Sequence, residues 1–215
     1  MQKVDKLTKQ AEVSRADMGD EDLSPMDPPD AYTPPSTCEL DLENLHPFLM
    51  ELLEEHREIN SYITEFESCL QDVMRRNDLG PNGFAGFSKF MNYFDDEFVP
   101  HNKREEGHFF SLVNERLIEA GEFGEKNGKK FTGIKILEED HIDAIKLGAK
   151  ITTLLELLAQ LNHISSRNIL QQKLFQTAKQ LVELLKLHIF REDNIIFGQA
   201  QKLLKKEELD QLLNS

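Results

Sequence analysis

From residue 41 onward, apolar residues recur at steps of three and four, the period of an α-helix. The first such stretch begins near His46-Pro47, where Pro47 suits a first helical position. Its stripe is Leu45, Phe48, Leu49, Leu52, Leu53, His56, Ile59, Ile63, Phe66, Leu70 and Val73, and Asn77-Asp78-Leu79-Gly80-Pro81 ends it. The second stretch, about 84–119, carries Phe87, Phe90, Met91, Phe94, Phe98, His101, Glu105, His108, Phe109, Leu112 and Val113. Pro100 lies inside it and predicts a bend or two helices in series. Residues 120–133 read as a glycine-rich loop. The third stretch, about 134–161, shows Leu137, His141, Ile145, Gly148, Ile151, Leu155 and Leu158. The fourth, about 168–199, shows Leu174, Ala178, Leu181, Leu185, His188, Glu192 and Ile195. Gly107 and Gly148, inside helical stretches, predict close backbone packing. Residues 201–215 predict a short closing helix, centred on 202–213. No strand-like alternation competes, and no clear sequence repeat is visible. The fold class is therefore all-α: an up-down-up-down four-helix bundle over residues 41–200.

Residues 1–40 differ. They hold five of the eight prolines and nine acids against four bases, with few large apolar side chains. Burial there cannot offset ordering entropy, so the segment is expected to be an irregular acidic tail or a partner-binding segment. The whole chain has a formal net charge of −14, which argues against nucleic acid and against anionic membrane surfaces as partners. No apolar run is long enough to span a bilayer, and no secretory leader pattern is present. Two cysteines, Cys38 and Cys69, make neither a disulfide framework nor a thiolate metal site. A cytoplasmic protein is the expectation.

The informative residues are polar ones on apolar stripes. His56, His101, His141 and His188 fall one per predicted helix. Two of them begin the same pattern, His101-x-x-x-Glu105 and His188-x-x-x-Glu192, which puts both side chains on one helix face a turn apart. A lone inward histidine is usually a satisfied core residue, but two buried carboxylates without partners would be very costly. A bound cation removes that cost. Imidazole plus carboxylate without thiolate suits iron, manganese or zinc. The two glutamates can each bridge two ions, with two imidazoles left for each. His108 continues the inward stripe and is a further candidate ligand. Glu105-x-x-His108 and Glu138-x-x-His141 also spell the Glu-x-x-His pattern of ferritin-like di-iron bundles, which would need further glutamates from helix one (Glu55 or Glu58) and helix four (Glu192 or Glu183). Glu138 and Glu139 are candidates to orient His141 through its other nitrogen, and Glu106 is expected to face away from Glu105. No serine or cysteine nucleophile and no phosphate-binding glycine loop is evident.

The ordered set, with its local strings LLEEHREIN, PHNKREEGHFF, LEEDHIDAI and LHIFREDNIIF, resembles the hemerythrin-like family of HHE cation-binding domains over roughly residues 41–200. The resemblance implies a non-heme centre of two iron ions, with His56, His101, His141 and His188 as terminal ligands and Glu105 and Glu192 bridging. It implies binding of dioxygen or another small diatomic or peroxide ligand, for oxygen, redox or iron sensing or storage. It equally admits a di-iron enzyme acting on nitric oxide or peroxide or repairing iron–sulfur clusters, or a metal-stabilised regulatory module. Oxygen-carrying members have a second histidine where this chain has Ile145, and an aspartate five residues after the fourth-helix histidine, where Asp193 adjoins Glu192. Four histidines with two glutamates lie closer to the repair proteins, which carry adjacent cysteines in an N-terminal domain. Here Cys38 stands alone.

Overall fold

A computed structural model describes residues 40–213 apart from 127 and 162. The proline-rich segment up to residue 39, with Cys38, lies outside the described residues. Four long helices account for nearly everything else. α1 spans Pro47–Arg76, with the His46 imidazole accepting the Phe48 backbone N–H at 3.3 Å and Pro47 in the first turn. Asn77, at φ 50°, ends it in the left-handed region. Gly80 adopts the same positive φ, a conformation that costs a residue without Cβ little, and the chain reverses within a few residues. Gln171 of the fourth helix braces this turn, accepting from the Leu79 N–H (3.1 Å) and donating to the Asn77 carbonyl (2.8 Å).

α2, residues 80–119, is one helix in five segments: α-helical Gly80–Tyr93, Val99–Arg104 and Phe110–Glu119, joined by π-helical turns at Phe94–Phe98 and Glu105–Phe109. The chain stays helical through Pro100, with the π-turn at Phe94–Phe98 dividing two α-helical segments just before it. Phe98 and Val99 keep right-handed helical dihedrals. The wider π-turn just before Pro100 has already shifted the hydrogen-bond register, so the missing N–H interrupts no regular ladder. The sharper departure is at Gly107, whose ψ is −116°. A Cβ there would meet nothing within 4 Å, so Gly107 marks a backbone irregularity and not the close packing expected of it.

The glycine-rich segment that follows is a short hairpin, not a loop. β1 (Gly124–Lys126) pairs antiparallel with β2 (Lys129–Phe131). Three-residue strands give too short an alternation to read from sequence. α3 spans Gly133–Gln160, and the Thr132 hydroxyl oxygen accepts the Ile134 N–H at its start. α4, residues 164–203, joins Ile164–Arg191 to Phe197–Leu203 through a third π-turn, Glu192–Ile196. A short α5, Lys206–Leu213, closes one end.

Cross-helix partners run in opposite order along each neighbouring pair, which fixes the up-down-up-down topology. Glu55 meets His101 while Glu65 meets Lys89; Asp140 meets Arg191 while the Leu158 carbonyl accepts from Arg167. The apolar core is in two parts. One contains Ile59, Ile63, Phe66, Phe87, Phe94, Phe98, Ile151, Leu181 and Leu185. The other contains Leu49, Leu52, Phe109, Phe110, Leu137, Ile196 and Phe197. On every long helix the switch from one part to the other falls at the inward histidines and glutamates.

Gly148 packs as expected: a Cβ there would lie 2.9 Å from Phe94 Cε1 and 3.3 Å from Met91 Cε. Ile145, expected on the same stripe, is instead 47% exposed, and Ala144 takes the inward place. Gly148→Leu is therefore expected to destabilise the bundle by about 1–3 kcal/mol through overpacking. Ile145→Ala should stay within about 0.5 kcal/mol. Urea midpoints of the two variants check both values.

Candidate metal centre

His56, His101, Glu105, His141, His188 and Glu192 converge in the layer between the two apolar parts, each at most 3% exposed. They form two sets of four ligand atoms. His56 and His101 make one half, His141 and His188 the other, and Glu105 and Glu192 belong to both. Glu105 turns Oε1 toward His101 Nε2 (3.4 Å) and His56 Nε2 (3.7 Å), and Oε2 toward His141 Nε2 (3.7 Å). Glu192 Oε2 lies 3.3 Å from His56 Nε2 and 3.1 Å from His188 Nε2.

Local backbone sets this convergence. Each glutamate is the first residue of a π-turn, one turn beyond its histidine. The π-turn inserts an extra residue per turn, so the next inward positions are Phe109 and Phe110, and Ile196 and Phe197. The same shift carries His108 outward. His108 is exposed and lines a surface groove with Leu112, Glu208 and Leu212, away from the six-residue cluster. The ferritin-like alternative fails on this point and on Glu138, which is half-exposed and pairs with Lys135.

The other imidazole nitrogens point outward to carboxylates. His56 Nδ1 is 2.6 Å from Asp193, His101 Nδ1 2.6 Å from Glu55, and His141 Nδ1 2.8 Å from Glu106. His188 Nδ1 faces Asp140 at 3.7 Å. These partners form a cycle: α4 holds the histidine of α1, α1 that of α2, α2 that of α3, and α3 faces that of α4. Glu106 takes the role expected of Glu138 or Glu139. The legible signal was adjacency, because every outer carboxylate is the sequence neighbour of an inward ligand: Glu55-His56, Glu105-Glu106, Asp140-His141 and Glu192-Asp193.

The arrangement is also duplicated. HNKREEGHFF (101–110) and HIFREDNIIF (188–197) match at histidine, arginine, glutamate, acid and final phenylalanine, and Glu55-His56 matches Asp140-His141. The match is spatial as well. Phe110 stacks on His141 with centroids 5.6 Å apart, and Phe197 stacks on His56 at 5.3 Å. The expectation of no repeat is corrected: the repeat is a handful of site positions in an otherwise diverged background.

These residues fit a cation. Both carboxylate oxygens of Glu105 and of Glu192 are buried without a hydrogen-bond partner among the described residues. His56 and His101 approach Nε2 to Nε2 at 3.0 Å, as do His141 and His188. Where Nδ1–H is given to a carboxylate, a neutral imidazole presents only a lone pair at Nε2. Two facing lone pairs need a positive charge between them, either a proton or a metal ion.

The electrostatics agree. Burial opposes charging His56, but Asp193, Glu105 and Glu192 outweigh it and hold its pKa up to about 10. Burial is likewise overcome at His188, by Glu192, Asp140 and Glu105, again to about 10. His141 goes the other way, lowered by burial and by the charge on His188. Burial would raise Glu105, yet His101 and His56 keep it below the usual carboxylate range.

Comparison with known proteins settles the family. The model of the hemerythrin HHE cation binding domain matches residues 48–200, which includes nearly all of the four long helices and all six convergent residues. The chain belongs to the hemerythrin HHE family. No curated protein and no solved structure matches it significantly. For a hemerythrin-type domain, the buried histidine and glutamate clusters are compatible with a metal site. Among the described residues, no helix is long and apolar enough to cross a membrane.

In the metal-free protein, His56 and His188 stabilise the fold through a proton the unfolded chain holds less tightly. Their folded pKa lies above the unfolded value, so this stability is complete below pH 6.5 and is lost as pH rises through about 10. Urea unfolding of chelator-treated protein from pH 6 to pH 10.5 should show a fall of roughly a few kcal/mol. Unchanged midpoints would contradict the charge assignment.

Proposed function

We propose that this hemerythrin-type bundle holds a non-heme di-iron centre and binds dioxygen or a related small ligand, in oxygen, redox or iron sensing or storage. The observation that carries the reading is the sharing of Glu105 and Glu192 between two sets of two histidines. His56 and His101 would hold one ion, His141 and His188 the other, and the two glutamates would bridge. Two imidazoles and two carboxylate oxygens per ion are fewer donors than an octahedral ion takes, which leaves room for an exogenous ligand. When bound, the iron pair would supply redox chemistry toward that ligand.

The protein's own contribution is containment. Phe98, Phe110 and Phe197, all at most 2% exposed, pack against the imidazoles, Phe109 packs against Phe197, and together they keep bulk water from the polar layer. Asp193, Glu55 and Glu106 fix the tautomers of His56, His101 and His141 with Nε2 inward. Manganese and zinc share these ligand preferences, and the absence of thiolate does not separate them from iron. The ligand set itself, four histidines with two glutamates, also supports a second reading as a di-iron enzyme for nitric oxide or peroxide, because an ion with more open positions favours turnover over reversible binding. The composition supports a cytoplasmic setting.

Anaerobically purified protein is expected to contain about two irons per chain by elemental analysis. Glu105→Ala and Glu192→Ala should each lose both, since each removes a ligand from both ions. Stopped-flow mixing of the reduced protein with dioxygen then separates the readings: a stable adduct that releases its gas supports binding, and rapid loss of the adduct with turnover supports the enzyme. Wild-type protein that folds without stoichiometric metal would overturn the proposal.

A further inference from the structure

The duplication of the site is broken at one side chain. Glu55 and Asp140 occupy equivalent places, each preceding an inward histidine, facing the Nδ1 of the histidine on the next helix and pairing with an arginine three residues beyond that histidine. Glu55 reaches both: one oxygen accepts from His101 Nδ1 at 2.6 Å and from Arg104. Asp140 is one methylene shorter. It accepts from Arg191 at 2.6 Å and stops 3.7 Å short of His188 Nδ1, beyond hydrogen-bond length. His188 Nδ1 is consequently buried with no hydrogen-bond partner among the described residues. Arg191 and Asp140 are also more enclosed than Arg104 and Glu55, at 32% and 13% exposed against 55% and 25%. Their pairing is thus the less screened of the two. The remaining outer contacts do not compensate. His141 relies on Glu106, which is 44% exposed and 2.8 Å away, while Asp193 holds His56 at 2.6 Å.

We propose that the two metal positions are unequal, and that Asp140, as a positioning residue drawn onto Arg191, makes the His141–His188 position the weaker one. The inference rests on the two-ion reading above. An imidazole whose outer nitrogen is held by a carboxylate is oriented and is the more basic ligand, and losing such a partner typically costs about 10- to 100-fold in metal affinity. The His56–His101 position has both partners in place. The other position has one long side chain, partly in solvent, and one partner out of reach.

The test is calorimetric titration of metal-free protein with ferrous iron under nitrogen. Wild type should bind in two steps. Repulsion between two cations would also separate the steps, so the deciding readout is which step each variant moves. Asp140→Glu restores the missing reach and should tighten the weaker step by about tenfold or more, narrowing the gap. Glu55→Asp should weaken the tighter step by a similar factor. Arg191→Ala, which releases Asp140 toward His188, should narrow the gap without moving the tighter step. Circular dichroism and thermal melting of each metal-free variant confirm that the bundle is intact. A single wild-type step, or a gap unchanged in both Asp140→Glu and Arg191→Ala, overturns the inequality and leaves the two-ion reading standing. Failure of every folded variant and of wild type to bind any iron overturns both.

Discussion

Two carboxylates, Glu105 and Glu192, sit at the centre of this bundle with none of their four oxygens hydrogen-bonded among the described residues. Such groups are among the most expensive a fold can bury. Almost every other feature of the middle of the molecule can be read as a response to them. Two of the imidazoles, His56 and His188, supply positive charge in the metal-free protein, and all four turn a ring nitrogen toward the carboxylates. The outer carboxylates in turn neutralise and orient those imidazoles. The phenylalanines above and below keep the layer dry, which raises the cost of leaving any of it unmatched.

The backbone makes this layer by a repeated device. A regular α-helix that placed His101 and Glu105 inward would carry its stripe on through His108 and Leu112. The π-turn beginning at Glu105 moves the stripe by one residue, so Phe109 and Phe110 follow the glutamate into the interior. The turn beginning at Glu192 does the same for Ile196 and Phe197. π-turns are uncommon and often mark functional positions. Here they let a charged pair and a fully apolar pair occupy consecutive turns of one helix. The cost is an irregular hydrogen-bond ladder, accompanied at Gly107 by a non-helical ψ.

The helical period made the bundle legible in the sequence, because each inward stripe is long and the four inward histidines interrupt it at one residue per helix. The His-x-x-x-Glu spacing pointed to the six-residue layer for the same reason: positions four apart share a face whatever the tertiary detail. What stayed hidden depends on register rather than periodicity. His108 is placed inward only by extrapolating a 3.6-residue period through a turn that does not obey it. Ile145 was placed inward on spacing alone, although Ala144 is the residue that fits beside the neighbouring helix. Pro100 looked like a breaker because the π-turn ahead of it carries no composition signal. Adjacency marks the outer carboxylates as neighbours of inward groups, but not which histidine each one reaches. Which of Glu106, Glu138 and Glu139 reaches His141 is decided by the rotation of α2 against α3, and no single-helix pattern contains that information.

The cycle of outer carboxylates has a direction, and that direction has a consequence for how the chain completes itself. Carboxylates of α1, α2 and α4 each hold the histidine of the next helix around the ring, Asp140 of α3 faces His188 without reaching it, and the closing contact, Asp193 on His56, joins residues 137 positions apart. No adjacent pair of helices supports all of its own inward histidines. α1 and α2 bring three of the six inward groups but leave His56 waiting for α4. The layer is therefore a feature of the closed ring alone, finished only when the final long helix returns to the first. The aim of the imidazoles therefore reports the topological completion of the protein, because a partly formed bundle leaves His56 without the carboxylate that holds it in the finished one.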